Sequence, residues 1–175
     1  INSAQAVLSL GTSGVYFSPT GKFSSNTLKA VHSFCHCIPN TWHHMSVMLS
    51  AANCIDWAAA IYGISISKFY EIIDHYVQEK NNIINAPLFL PYLSGERTPH
   101  NNAYIRAGFH CLTTLTSKAD MLYATLEGVI FGLKDGFEAV NEVNNKTNET
   151  FVVGGGAKSR TWLNLLSSAI NTEII

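Results

Sequence analysis

Two short segments rich in glycine have the composition of a backbone that binds nucleotides. The first is Gly11-Thr12-Ser13-Gly14, which separates the apolar runs Ala6–Leu10 and Val15–Ser18. Two strand-like runs joined by such a tight turn predict a β-hairpin. Hydroxyl and backbone N–H groups at the tip can hold a phosphate. The same residues would equally form an ordinary hairpin turn.

The second segment is Gly154-Gly155-Gly156-Ala157-Lys158, which follows the β-branched run Phe151–Val153. An amphipathic helix is predicted after it, because apolar residues recur there at three- and four-residue spacing. These residues are Trp162, Leu165, Leu166 and Ala169. A helix start attracts anions, and glycines let a base or a phosphate approach the main chain. The alternative is that the glycines only allow the strand and helix to pack tightly.

The composition predicts an ordered α/β protein of one domain. The chain has 175 residues, of which 47% are hydrophobic and 13% charged, enough to bury a sizeable core. Eleven basic and 12 acidic residues leave a net charge of -1, and the basic residues are scattered, so we expect no nucleic-acid partner and no membrane partner. The absence of a long apolar run or signal pattern predicts a soluble, cytoplasmic protein.

The segment His32–His44 is rich in histidine and cysteine, which raises the hypothesis of a zinc site. It lacks the paired spacing of tetrahedral zinc ligands, and its alternation predicts two strands joined at Pro39-Asn40. We therefore predict no metal site in this chain. The cysteines are predicted to be reduced and mostly buried, because their neighbours are apolar or aromatic. They are Cys35, Cys37, Cys54 and Cys111.

Three helices are predicted in the middle of the chain. Val47–Tyr62 has little polar surface, which predicts a helix buried nearly all round, and Ser67–Glu79 is amphipathic. Ser117 with Asp120 predicts a capping box at the start of a long helix that ends near Val140.

Three charged residues in the middle of the chain have roles that the pattern leaves open. Asp56 lies on the first of the predicted helices. It is either at an exposed edge of that helix or kept there for a functional role. Glu96 and Arg97 lie in a loop after the predicted strand Leu88–Tyr92. That loop either fixes its own shape or lines a cleft.

Six segments, in order, resemble the C-terminal half of the FGGY-family carbohydrate kinases. They read LSLGTSGVYF, AVHSFCH, WHHMSVMLSAANCIDWAA, FLPYLSGERTPHNN, the stretch from Ala107 to Glu127, and VVGGGAKS. The resemblance covers essentially the whole chain and is strongest to the members that phosphorylate xylulose. The family usually has glycine where this chain has Cys111, which questions the backbone geometry there.

The resemblance implies an α/β fold of the actin-like ATPase (ribonuclease H-like) class, with a mixed sheet flanked by helices. It implies that residues 1–175 are a truncated C-terminal, nucleotide-binding domain whose N-terminal sugar-binding domain is absent. Gly11, Thr12 and Ser13 would then meet the nucleotide phosphates. Gly155, Gly156, Ala157 and Lys158 would meet adenine and ribose.

The resemblance also implies a reaction, in which the γ-phosphate of MgATP is transferred to the 5-hydroxyl of D-xylulose. ATP and Mg2+ are the implied cofactors, and the partners are a pentulose sugar and the N-terminal domain of the same protein, with a homodimer left open. The family's catalytic aspartate precedes the matched segments, so we expect no catalytic residue in this chain and no turnover by it alone.

Three alternatives remain at this stage. Another sugar or polyol kinase of the family, acting on glycerol or gluconate, would show the same segments. A regulatory module of the same fold would bind nucleotide without catalysis. An oxidoreductase of the Rossmann type is disfavoured, because the second turn lacks the G-x-G-x-x-G spacing.

Overall fold

The structure, a computed structural model, describes residues 5–79, 86–144 and 147–175. Its first half contains β1 (Gln5–Leu10), β2 (Gly14–Thr20), β3 (His32–Cys35), β4 (Trp42–Met48), α1 (Ala52–Ile61) and α2 (Ile66–Glu79). Its second half contains β5 (Leu88–Leu90), β6 (Gly108–His110), α3 (Lys118–Asn141), β7 (Glu149–Val153), a 3-10 helix (Gly155–Lys158), α4 (Arg160–Ile170) and β8 (Glu173–Ile174).

The main sheet is mixed and has the strand order β3-β4-β2-β1-β7-β8. Strands β1 to β4 are joined by antiparallel pairing, whereas β7 runs parallel to β1 on one side and to β8 on the other. Strands β5 and β6 form a separate antiparallel pair. The parallel half needs a long crossover, and the chain supplies it through the helices between β4 and β7.

Several local predictions are confirmed. The Gly11–Gly14 turn joins β1 to β2 as a hairpin, and the predicted strand pair at residues 32–44 is β3 with β4. The Ser117 side chain accepts a hydrogen bond from the Asp120 N–H, and the Asp120 carboxylate accepts one from the Ser117 N–H, which completes the capping box. The left-handed Gly63 follows α1, where the sequence predicted a stop.

The predicted helix Val47–Tyr62 is wrong in its first turn and in its burial. Val47 and Met48 belong to β4, where they pair with Val15 and Gly14, and α1 begins only at Ala52. The pairing with β2 determines the conformation, because an apolar run of this length fits either a strand or a helix. Helix α1 is buried on one side only, and Ile61 is 60% exposed.

Helix α3 is the centre of the core and packs across the sheet. The ring of Phe137 meets the edge of the Tyr16 ring on β2, with ring centroids 5.1 Å apart. Alternate residues of β1 are buried, namely Ala6, Leu8 and Leu10, as expected for a strand with one face covered. Within the described ranges no helix combines the length and the hydropathy that a membrane-spanning segment needs.

Glycines at four-residue spacing let α3 approach the strands closely. An ideal Cβ on Gly128 would lie 2.2 Å from the carbonyl oxygen of Phe89, and one on Gly132 would lie 2.9 Å from the terminal methyl of Met48. A Cβ on Gly136 would meet the Ser46 hydroxyl at 2.7 Å. The apolar stripe predicted for this helix is present, but the backbone contact at Gly128 is what brings the helix onto β5.

The prediction of mostly buried cysteines is wrong. Cys54 is buried, whereas Cys35, Cys37 and Cys111 are exposed as free thiols. The sequence neighbours of Cys35 and Cys37 are aromatic, but they lie on the edge strand β3 and in the turn after it. Cys111 adopts a left-handed conformation with φ of 62°. A glycine, the residue that the resemblance implies at this position, adopts that conformation without steric cost.

The glycines of α3 provide a test of the close packing. We expect Gly128→Ala to lower the free energy of unfolding by about 2 kcal/mol, because its new methyl group would overlap a backbone oxygen. Gly132→Ala gains the same helix propensity, about 1 kcal/mol, and its methyl group would meet side-chain atoms rather than backbone, the terminal methyl of Met48 at 2.9 Å and Cγ of Pro91 at 3.3 Å. Urea denaturation should therefore show Gly132→Ala within about 1 kcal/mol of the unsubstituted chain. Equal losses in the two variants would contradict the packing.

Candidate functional site

The two glycine-rich turns lie side by side at one edge of the sheet. Strands β1 and β7 are parallel neighbours in the register Gln5 with Glu149 to Ser9 with Val153. Their carboxyl ends therefore meet at the same edge, where the Gly11–Ser13 turn follows β1 and the 3-10 helix Gly155–Lys158 follows β7. The edge beyond the carboxyl ends of parallel strands is where open α/β sheets bind ligands.

The backbones of the two turns are in close contact through Leu10. An ideal Cβ on Gly154 would lie 2.5 Å from the Leu10 carbonyl oxygen, and Gly154 has φ of 103°. A Cβ on Gly156 would lie 2.8 Å from the ring of Trp162 and 3.0 Å from Cβ of Leu10. These two glycines are therefore needed by the fold itself. The packing explanation from the sequence holds for Gly154 and Gly156.

Gly155 differs from both of its neighbours. An ideal Cβ at this position meets no atom within 4 Å, and the residue is exposed. Ala157 beside it is half-buried, and Lys158, two residues before the start of α4, is exposed. The packing that requires Gly154 and Gly156 therefore does not require Gly155, and the space in front of Gly155 is open to a ligand.

The Gly11–Ser13 turn is held by the start of α1. The N–H groups of Ala51 and Asn53 donate to the Thr12 carbonyl at 2.9 and 3.3 Å, and the Ala52 N–H donates to the Gly11 carbonyl at 3.0 Å. Thr12 is exposed and Ser13 is half-buried. Their hydroxyl groups have no protein partner among the described residues. The turn thus has a fixed backbone and free donors, which suits an anion such as a phosphate.

Behind this turn, Glu96 is a buried carboxylate. It is 3% exposed, and its Oε1 accepts hydrogen bonds from the N–H groups of Leu49 at 2.9 Å and Arg97 at 2.7 Å. Burial raises the pKa of Glu96, and the two backbone N–H groups partly oppose that shift. Burial, with the nearby Glu96 charge, also raises the pKa of the Cys54 thiol to about 12.

Asp56 and Arg97 are the other charged residues whose roles the sequence leaves open. Asp56 is exposed on α1, and Arg97 donates from Nη1 to Nε2 of His32 on β3 at 3.1 Å. Glu96 and Arg97 therefore do not form an ion pair with each other. Among residues 5–79, 86–144 and 147–175, no group of three or more His, Cys, Asp or Glu side chains is arranged to hold a metal ion.

Comparison with known proteins identifies the family. Residues 6–175 match the model of the FGGY family of carbohydrate kinases, C-terminal domain. The chain belongs to the FGGY family. The xylulose kinases of Escherichia coli (strain K12) and Klebsiella pneumoniae are 44% and 43% identical to it, each over 99% of this chain. The match spans 35% of the length of each of these two FGGY relatives.

A solved structure shows the same fold as this FGGY domain. The crystal structure of a "xyloylose kinase" from Brucella ovis superimposes with a TM-score of 0.91 at 37% identity, covering 99% of this chain and 35% of that one. The mixed sheet with its flanking helices is thus the actin-like ATPase fold predicted from the sequence. The seven predicted nucleotide-binding residues of the FGGY chain lie at one edge of that sheet.

Sequence reasoning missed the position of Glu96 in this FGGY domain. The sequence pattern predicts only that this acidic residue, between Gly95 and Arg97, lies in a loop after an apolar strand, and it leaves the role of the residue open. Its burial depends on the loop packing against β4, a contact between distant parts of the chain. A carboxylate that is buried without an ionic partner is unusual, and such groups concentrate at functional sites.

The raised pKa of Glu96 predicts a pH-dependent effect of Glu96→Gln. The folded state holds the Glu96 proton more tightly than the unfolded chain does, so this carboxyl favours folding below its unfolded pKa and loses that contribution as pH rises through its folded pKa. The glutamine variant has no such loss. Its stability relative to the unsubstituted chain should rise from pH 4 to pH 7, by roughly 1.4 kcal/mol for each unit of pKa shift. Urea denaturation at both pH values checks this, and a pH-independent difference would contradict it.

Proposed function

We propose that this chain is the nucleotide-binding C-terminal domain of an ATP-dependent xylulose kinase. The observation that carries the proposal is that the Gly11–Ser13 turn and the Gly154–Lys158 turn follow neighbouring parallel strands at one sheet edge, where Gly154 and Gly156 pack against Leu10. Among the described residues, both turns offer backbone or hydroxyl groups without hydrogen-bond partners in the protein, and the chain belongs to a family of carbohydrate kinases. The choice of D-xylulose rests on the names of the similar proteins.

We assign a part of the nucleotide to each turn. The N–H and hydroxyl groups of Thr12 and Ser13 would face the phosphates, with Gly11 allowing close approach. Adenine and ribose would lie against Gly155, Gly156, Ala157 and Lys158, where the open space at Gly155 accommodates a flat base. Lys158 lies where its positive charge can approach a phosphate or stay in solvent.

The proposed reaction needs groups outside the described residues. The sugar 5-oxygen attacks the γ-phosphorus of ATP, the bond from γ-phosphorus to the bridging oxygen breaks, ADP leaves, and a general base accepts the hydroxyl proton. The family resemblance assigns that base to an aspartate in an N-terminal domain. We propose that such a domain of the same protein completes the site, and that the protein acts in the cytoplasm.

The described residues do not include a cluster of side chains that could bind Mg2+ directly. Within the described ranges no group of three or more His, Cys, Asp or Glu side chains could hold a metal ion, and Mg2+ commonly binds through substrate phosphates and water. We therefore infer that the ion enters with the nucleotide. The part of this chain is to hold the nucleotide in a fixed position, which is how binding energy serves phosphoryl transfer.

Gly155→Val tests the nucleotide assignment. The valine side chain would meet no protein atom within 4 Å but would occupy the proposed adenosine site. We expect MgATP and MgADP affinity to fall at least about tenfold, with the melting temperature unchanged within about 2 °C. Gly21→Val is the matched control, because Gly21 also faces open space and lies beyond the far end of β2. Isothermal titration calorimetry on the complete protein measures both. Equal affinities in the two variants would reject the assignment.

A second experiment tests the sugar. The complete protein should phosphorylate D-xylulose with kcat/KM at least about tenfold higher than for glycerol or gluconate, which corresponds to about 1.4 kcal/mol of transition-state discrimination. Coupled detection of ADP release measures all three substrates under the same conditions. Turnover of gluconate or glycerol without turnover of xylulose would reject the sugar while leaving the nucleotide assignment intact.

A further inference from the structure

The loop that follows β5 packs against a part of β4 that no strand covers. Strand β3 pairs with β4 only between Trp42 and Met45. Beyond that point Thr98 donates its N–H to the Val47 carbonyl and accepts from the Val47 N–H through Oγ1, both at 3.1 Å. Two residues after Val47, just beyond the end of β4, the Leu49 N–H donates to the Glu96 carboxylate. The loop thus continues the sheet edge through its side chains.

Glu96 takes part in this packing at a cost. A carboxylate that is 3% exposed loses most of its hydration, which is unfavourable unless hydrogen bonds compensate. Its Oε1 accepts from Leu49 and Arg97, whereas its Oε2 has no partner among the described residues. Thr98 makes comparable contacts to β4 with a neutral hydroxyl. A second attachment of the loop to β4 therefore does not by itself account for the buried acceptor at Glu96.

The hydrogen bond from Leu49 leads directly to the proposed phosphate turn. Leu49 directly follows β4, and two residues later Ala51 donates its N–H to the Thr12 carbonyl. The next N–H groups, of Ala52 and Asn53, donate to Gly11 and Thr12. The position of the Gly11–Ser13 turn therefore depends on the junction between β4 and α1, and Glu96 holds the first residue of that junction.

We propose that Glu96 is a positioning residue that fixes the β4–α1 junction and, through the first N–H groups of α1, the Gly11–Ser13 turn. The residue itself touches no nucleotide. Its contribution to binding rests on the proposed function, since the turn is assigned to the nucleotide phosphates there. A preorganised turn binds a phosphate without first losing conformational freedom, so displacing it should weaken binding while leaving the rest of the domain intact.

Amide hydrogen exchange tests the positioning without any nucleotide. Glu96→Met fills the same space without an acceptor, and in the complete protein we expect exchange at Leu49, Ala51, Ala52 and Asn53 to become at least about tenfold faster. Thr98→Val is the matched control, because it removes the acceptor of the Val47 N–H in the same loop. It should accelerate exchange at Val47 and leave the Ala51–Asn53 amides unchanged. Mass spectrometry with near-residue resolution measures both variants.

Nucleotide affinity separates positioning from general destabilisation. We expect Glu96→Met to raise the Kd for MgADP about tenfold, and Glu96→Gln, whose amide oxygen still accepts both N–H groups, to keep it within about twofold. Thr98→Val should also stay within about twofold even where it lowers the melting temperature as much as Glu96→Met does. If Glu96→Met does not fold, Glu96→Asp replaces it, since the shorter side chain retracts the carboxylate from Leu49.

The outcomes are distinct. Faster exchange at the α1 amides with weaker MgADP binding in the Glu96 variant alone supports the proposal. Unchanged exchange at Ala51–Asn53, or equal effects of Glu96→Met and Thr98→Val on those amides and on Kd, overturns it. If the unsubstituted protein binds no MgADP, the proposed function fails, and the exchange data alone decide whether Glu96 positions the turn.

Discussion

The parallel pairing of β1 with β7 is the constraint on which the candidate site depends. The two strands come from opposite ends of the chain, and only their pairing brings the Gly11–Ser13 turn against the Gly154–Lys158 turn. The pairing is in turn held by burial, because Leu8 and Leu10 of β1 lie in the core beneath α3 and Thr150 of β7 is fully buried. Each turn alone is a common structural element. Together they lie at the same sheet edge, where Gly154 and Gly156 pack against Leu10.

Helix α3 packs closely against the strands because of its glycines. Glycine in a helix interior costs about 1 kcal/mol relative to alanine, so glycines at Gly128, Gly132 and Gly136 weaken α3 as an isolated helix. They are compensated by contact, since the helix backbone reaches the carbonyl oxygen of Phe89 and the side chains of β4. Strands β4 and β5 are therefore held close to the backbone of α3.

Local patterns predicted the elements whose determinants lie close together in the chain. The hairpin at Gly11–Gly14, the capping box of Ser117 and Asp120, and the glycine turn after β7 each depend on a few neighbouring residues. The start of α1 depends on the pairing of β4 with β2, so periodicity alone placed the start of this helix too early. The burial of Glu96 depends on the packing of the 96–98 loop against β4, so the sequence pattern left the role of Glu96 open. The proximity of the two turns followed only from the family resemblance, because no local pattern specifies strand order. At Cys111 the resemblance implies a glycine, and the backbone there does adopt the left-handed conformation that glycine favours.

The two turns are supported from behind by different kinds of interaction, and this difference bears on how each can change. Gly156 rests on the ring of Trp162, which is fully buried and fills the space that a side chain at Gly156 would need. Packing of this kind depends little on the exact direction of each contact, because dispersion contacts are many and individually weak. The Gly11–Ser13 turn is supported by backbone hydrogen bonds that lead to Glu96, and hydrogen bonds determine both distance and direction. A phosphate needs its donors at defined positions, whereas a flat base needs only an open surface. Under the proposed assignment, the polar support stands behind the turn for the phosphates, and the apolar support stands behind the turn for the base.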